Sequence, residues 1–379
     1  MGSLPHIVED CLGVLQLYSD GSVCRSAHID FPIAAVDDGS VPWKDSLYDE
    51  THHLHLRLYK PAAPPAKLLP VLYFIHGGGF CLGSRTWPNC HTCCLRLAAE
   101  LGALVVAPDY RLAPEHRLPA AVEDVLRAVQ WLQAQAVAES GDAWVREEAD
   151  FDRVFIMGDS SGGNIAHQLA VRIGSGSVEL SPVRVRGFVL LAPFFGGSLR
   201  TRSEEGPPES YLSLELLDRF WRLCLPIGDT MDHPLVNPFG PASPNLKSVR
   251  LDPILAVVGG EELMKDRVED YARRLKELGK KIQYVEFGGK QHGFLMNDPF
   301  SKEAKELLQV IKKFMRRLTH IEQYRASSSR SVDPMDTNSA PCSDDLSNED
   351  SKEGSEEGTE EGDKIVDEAA NDENTSDDD

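Results

Sequence analysis

Ser160 stands at the centre of Gly158-Asp159-Ser160-Ser161-Gly162, directly after the apolar run "VFIM". Glycines two positions to either side of a serine, between a strand and a helix, permit a tight turn that projects the hydroxyl above a sheet. Such a hydroxyl attacks a carbonyl only if a base takes its proton. Ser161 is off-centre in the motif and supplies a backbone N–H instead. After "VLYFI" comes "HGGGF" at residues 76–80. There the N–H groups of Gly78 and Gly79 can approach a carbonyl oxygen unblocked by side chains and, with that of Ser161, stabilise the charge developing on it. Of 12 histidines, His292 in "GGKQHGF" lies between the last strand and the last helix, where a base follows nucleophile and acid in chain order. His76 belongs to the glycine loop, and His167, on the helix after Ser160, reads as packing. The acid is sought in "VVGGEELMKD", residues 257–266, where three carboxylates follow a strand end. Glu262 falls in the loop within reach of an imidazole. Asp266 falls one turn on, at a helix start that suits a carboxylate. Glu261 points to solvent if the turn is tight.

These residues need a scaffold that gathers strand ends. From Leu54 onward the chain alternates apolar, β-branched runs ("LPVLYFIH", "GALVVAPD", "DRVFIMGD", "RGFVLLAP", "PILAVVGG", "IQYVEF") with helical patterns ("CCLRLAAEL", "AAVEDVLRAVQWLQAQA", "GNIAHQLAVRI", "LELLDRFWRLCL", "RVEDYARRLKEL", "KEAKELLQVIKKFMRRL"). Near-continuous apolar strands are covered on both faces. The alternation therefore predicts a single α/β domain over residues 1–325, with a mainly parallel sheet and helices on both sides. Sites in such sheets form beyond the carboxyl ends of the strands. Residues 1 to about 50 read as irregular. With the Pro/Gly-rich segments around 196–210 and 226–248, they are candidates for a cap.

The net charge of −21 is uneven: 19 acidic and 3 basic residues lie after Arg325, leaving 41 and 36 before it. Residues 326–379 read as a disordered acidic tail, since they hold too little apolar surface to offset the entropy of ordering. The tail would be the place for a protein partner. No basic patch suggests nucleic acid, and no apolar run is long enough to span a membrane. The start "MGSLPHIVEDCLG" has neither the basic nor the apolar region of a signal peptide, and His6 stands where myristoylation wants Ser or Thr. Eight cysteines without such a signal suggest reduced thiols and a cytoplasmic setting, with the nucleus also open. "CHTCC" (residues 90–94) lacks the second half of a zinc site and reads as a buried helix face. "HHLH" (His52, His53, His55) alternates along an expected strand with no third ligand nearby.

With these motifs in place, the chain resembles the plant carboxylesterases of the hormone-sensitive-lipase-like branch of the α/β-hydrolases. "HGGGFCLGS", "APDYRLAPE", "GDSSGGNIAH", "PFFGG" and "HGF" match that group in order, across about residues 8–320. The resemblance implies an α/β-hydrolase fold with an N-terminal and inserted cap, and no metal or organic cofactor. It also implies a serine carboxylesterase that hydrolyses small, fairly apolar esters or lactones through an acyl-enzyme; relatives act on plant hormones and specialised metabolites, strigolactone-type lactones among them. Gibberellin receptors share the scaffold but have lost the catalytic histidine, so a non-catalytic hormone receptor is the alternative and the presence of His292 weighs against it. The family's acid motif is D-P-x-x-D, with the acid thirty residues before the histidine. That spacing selects Glu262, a glutamate in the aspartate's place, with Asp266 as runner-up. The implied set is Ser160, Glu262 and His292, with Gly78, Gly79 and Ser161 as the oxyanion hole. The acidic tail has no counterpart in the family.

Overall fold

The computed structural model describes residues 4–26, 36–62 and 68–329, with side chains as far as residue 319. The expected acidic tail lies outside the described residues apart from its first four positions, which continue the final helix to Ser329. The chain begins with an antiparallel ribbon: β1 (Ile7–Cys11), β2 (Leu15–Tyr18) and β3 (Val23–Arg25). This corrects the irregular reading of the N-terminal segment. The ribbon's alternation is too short to stand out, since only Cys11 and Leu15 are fully buried while Ile7 and Val8 face outward.

An eight-stranded sheet follows. It comprises β4 (Trp43–Asp49), β5 (Leu54–Tyr59), β6 (Leu69–Ile75), β7 (Leu104–Pro108), β8 (Ala149–Asp159), β9 (Val185–Leu191), β10 (Ile254–Gly259) and β11 (Ile282–Phe287), in the order β11-β10-β9-β8-β6-β7-β5-β4. β5 runs antiparallel to both its neighbours, and all other pairings are parallel. The central strands show why their apolar runs are continuous. In β6, Val71, Tyr73 and Ile75 enter one core while Leu72 and Phe74 enter the other; in β8, Val154 and Ile156 oppose Phe155 and Met157. All are fully buried, and each large side chain so removed from water is worth about 1.5–3 kcal/mol.

Helix α1 (Pro88–Leu101) packs on one face with the short α7 (Phe294–Asn297) and the long α8 (Lys302–Ser329). Cys90, Cys93 and Cys94 line its buried side. Helix α1 begins five residues before the apolar pattern suggests, because Pro88 suits the first turn. The other face carries α2 (Ala120–Val137), α4 (Ser161–Gly174) and α6 (Lys265–Glu277). The short α3 (Ala143–Glu148) was not evident from periodicity; its signal was Asp142, whose carboxylate accepts the N–H of Trp144 at 3.0 Å.

The remaining helix, α5 (Leu214–Cys224), belongs to an insertion between β9 and β10. Glu9 of the ribbon pairs with Arg222 at 2.9 Å and with Arg219 at 3.0 Å, both on α5. Arg25, at the ribbon's end, binds Glu115 through two nitrogens (2.9 and 2.7 Å) and donates to the carbonyls of Cys81 and Ala113. Ribbon and insertion are thus fastened to each other and to the loops at the carboxyl ends of the strands.

Candidate active site

At the end of β8 the chain turns sharply into α4, and Ser160 takes φ 54°, ψ −116°. A non-glycine residue held there stores roughly 1–3 kcal/mol of strain. The turn is over-determined: Ser160 N–H donates to the Leu191 carbonyl at 2.8 Å, and its own carbonyl accepts from Phe194 N–H at 2.8 Å. The flanking glycines are forced by crossing backbones. A Cβ on Gly158 would come within 2.0 Å of the Gly162 carbonyl oxygen, and one on Gly162 within 2.1 Å of the Ile75 oxygen. Ser161 is fully buried, its hydroxyl 3.5 Å from that of Tyr110, whereas Ser160 lines the pocket described below.

The glycine loop after β6 lies beside it. Gly78 (φ 116°) and Gly79 (φ 60°) use backbone conformations that side chains resist. A Cβ at Gly79 would also come within 2.4 Å of the Phe220 ring. Among the described residues, no protein acceptor takes the N–H of Gly78, Gly79 or Ser161. His76 is buried and stacked on Tyr110, with Nδ1 on the Gly77 carbonyl at 2.8 Å, and burial lowers its pKa.

Beyond β10, Glu262 turns inward and is 3% exposed, while Glu261 is exposed. Glu262 Oε1 accepts the Gly259 N–H at 2.6 Å, and Oε2 lies 2.8 Å from His292 Nδ1. Asp266 sits in the first turn of α6, where it accepts the N–H of Ser203 at 2.8 Å. Of the two candidate acids, only Glu262 meets the histidine. Burial by itself would depress the basicity of His292, but the Glu262 hydrogen bond and charge, with Asp159 and Glu209 behind them, outweigh it and raise its pKa to about 9. Asp159 is buried next to Ser160, and desolvation raises its carboxyl to about 6 against the opposing pull of His292.

These groups open on a cavity of about 210 Å³. Its walls include Leu12 of the ribbon, Trp87, Phe194, Leu216 and Phe220, and no Lys or Arg among the described residues. Glu209, from the insertion, went unnoticed in the sequence. It accepts N–H bonds from Leu263 at 2.8 Å and His292 at 2.5 Å, and burial raises its carboxyl pKa.

The expected histidine strand needs correction: His52 and His53 sit in the turn before β5, and only His55 is in the strand. His52 does have acidic neighbours, Asp49 and Asp124, with one ligand atom from each of the three residues within 4.8 Å of the others. Asp124 is taken up by two bonds from the Arg111 side chain and one from Arg127, so guanidinium groups occupy the place of a cation. The contact was invisible in sequence because Asp124 lies far along the chain.

A strained serine, a buried carboxylate–imidazole pair and free backbone donors around one apolar cavity form an acyl-transfer constellation. Residues 72–296 match the family model described as alpha/beta hydrolase fold. The chain belongs to the α/β-hydrolases. Within them it joins the plant carboxylesterases of the hormone-sensitive-lipase-like branch: it is 36% identical to Carboxylesterase 20 of Arabidopsis thaliana over 330 residues, 83% of this chain and 98% of that one. The Gibberellin receptor GID1B of the same plant is 38% identical over 271 residues, 70% of this chain and 72% of the receptor. Among solved structures, the thermophilic carboxylesterase EstE1 from a metagenomic library superposes with a TM-score of 0.64 at 29% identity, covering 75% of this chain and 91% of that one. This α/β-hydrolase is a carboxylic ester hydrolase. No helix among its described residues is long and apolar enough to cross a membrane.

Proposed function

We propose that this carboxylesterase cleaves small, neutral, fairly apolar esters or lactones by double displacement, with Ser160 as nucleophile, His292 as base and Glu262 as the acid that orients it. The observation that carries the reading is the buried Glu262–His292 contact at 2.8 Å, in the same pocket as the strained Ser160. Ser160 Oγ attacks the carbonyl carbon while His292 takes its proton. The oxyanion is met by the N–H groups of Gly78, Gly79 and Ser161. His292 then protonates the leaving alcohol, and the acyl-enzyme forms. Water, deprotonated by the same imidazole, attacks the acyl carbon and releases the acid and Ser160. Glu262 holds the proton on Nδ1, leaving Nε2 as the basic nitrogen, and stabilises the imidazolium.

The pocket supports the substrate class. Apolar walls and two carboxylates, Asp159 and Glu209, without a lining Lys or Arg among the described residues, favour neutral esters over anionic ones. A cytoplasmic setting fits the seven free cysteines among the described residues. The hormone-receptor alternative has less support, since binding alone requires no paired acid and base.

The test is turnover of short-chain p-nitrophenyl esters against a panel of neutral lactones and carboxylate-bearing esters, with fluorophosphonate labelling mapped by mass spectrometry. Label on Ser160 and preference for the neutral compounds are expected. Label on Ser161, or tight ligand binding with no turnover, would sink the reading.

A further inference from the structure

The insertion between β9 and β10 does more than wall the pocket. Glu209 reaches from it to both loops that carry the acid and the base. Its Oε1 takes the N–H of Leu263, the residue after Glu262, at 2.8 Å; its Oε2 takes the N–H of His292 itself at 2.5 Å. The next residue repeats the link, with Ser210 Oγ donating to Gln291 Oε1 at 2.8 Å. One carboxylate therefore bridges two loops whose separation determines whether Glu262 and His292 meet.

A structural anchor in this place could be a neutral amide or a serine. A carboxylate suits it for two reasons. Two convergent N–H donors are best met by two equivalent acceptor oxygens, which Gln cannot offer. The negative charge also bears on the imidazole. Among the described residues, the charged groups that act most on His292 come from three elements: Glu262 from the loop after β10, Asp159 from the last position of β8, and Glu209 from the insertion. Lys290, on the histidine's own loop, is engaged with Glu303 at 2.8 Å.

Resting on the reading above, we propose that Glu209 is a positioning residue of the hydrolytic reaction. Its carboxylate brackets the acid loop and the histidine loop and adds negative charge beside the imidazole, so that docking of the insertion and assembly of the acid–base pair are one event.

The test uses the full-length chain with Glu209→Gln, Glu209→Asp and, as a control, Ser210→Ala. Glu209→Gln should lower kcat by about 10²-fold, the scale of a misplaced catalytic group, with a smaller change in KM. It should also move the acid limb of the pH profile to lower pH, because removing a negative charge makes His292 easier to deprotonate. Glu209→Asp keeps the charge but shortens the reach, so kcat should fall with the acid limb held near its original place. Ser210→Ala should stay within about threefold of the starting enzyme, losing one neutral hydrogen bond.

Titration of the His292 imidazole by NMR reads the same bracket without turnover. A lower pKa in Glu209→Gln supports the proposal even if no ester in the panel is cleaved, an outcome that would refute only the hydrolytic reading. Unchanged kcat with unchanged titration overturns it. So does a loss of melting temperature and activity with the titration unmoved, which would make Glu209 a plain strut. If Glu209→Gln does not fold, Glu209→Asp decides: full kcat with the shortened side chain overturns the bracket, and reduced kcat at an unshifted acid limb upholds it.

Discussion

The two ends of the sheet carry cavities of opposite character. At the carboxyl ends lies the pocket of about 210 Å³ with Ser160, His292 and three carboxylates around the imidazole. At the amino ends of β9, β10 and β11, against α8, is a larger space of about 950 Å³, lined by seven Arg and Lys side chains and one acid, Asp252. Among the described residues, the larger cavity is lined by no histidine and so holds no carboxylate–imidazole pair. Its glycine, Gly279, has positive φ but open space where a side chain would go, whereas Gly158, Gly162 and Gly79 are each hemmed in by backbone or a ring. Volume therefore does not distinguish the proposed reactive end. Crowded glycines, a strained serine and, among the described residues, N–H groups without protein acceptors do, because such costly arrangements cluster at functional sites.

The sharpest way to break this contrast is at Ser160. Replacing it with Ala should remove fluorophosphonate labelling and cut kcat by several orders of magnitude, roughly the 10⁶-fold scale of nucleophile loss in triad enzymes. Ser161→Ala should retain much of both, since its backbone donor survives. Next in size is Glu262→Gln, which keeps the shape but removes the charge; kcat should fall by up to ~10⁴-fold. Asp266→Asn should mainly cost stability, read as a lower melting temperature at near-normal kcat. Activity lost at Asp266 and kept at Glu262 would mean that the acid is misassigned.

A smaller and more diagnostic effect lies in pH. The base must be neutral to act, and three carboxylates hold the His292 proton more tightly, with its pKa raised to about 9. Activity should therefore fall as pH drops through a midpoint above the ordinary histidine range of about 6.5. Asp159→Asn should bring that midpoint down. A midpoint at or below the ordinary value would show that the carboxylates do not govern the base. Smallest of all is the opposite end: Arg250→Ala with Lys313→Ala should leave kcat/KM within about twofold, as a cavity without reacting groups requires. A tenfold loss there would erase the distinction between the two ends.

What the sequence made legible follows the range of each interaction. The six apolar runs and the Ser160 turn are local: the strands are continuous because both faces are covered, and the glycines stand where two backbones cross, so pattern alone locates them. The buried position of Glu262, in contrast to exposed Glu261, also follows from one tight turn after β10, closed by Glu262 N–H on the Gly259 carbonyl at 3.3 Å and by Gly259 N–H on Glu262 Oε1 at 2.6 Å. The ribbon β1–β3 escaped notice because strands of three to five residues with two buried side chains carry almost no periodic signal. Glu209 escaped for a different reason. In "PPESY" it looks like any polar loop residue, and its partners lie 54 and 83 positions away. No local rule finds a carboxylate whose purpose is defined by two distant N–H groups.

The Glu9 pairing with Arg219 and Arg222 bears on how new specificities can be engineered here. It couples the first strand of the chain to a helix more than two hundred residues later, and Leu12 beside it reaches the pocket wall. The two segments form one module split in sequence but joined by charge. A chimera that imports a relative's N-terminal ribbon without its inserted helix would set a foreign surface against Arg219 and Arg222 and leave two guanidinium groups without their shared carboxylate. Exchanging residues 4–26 and 197–225 together preserves the seam. The unit to exchange in this enzyme is therefore the matched pair of segments.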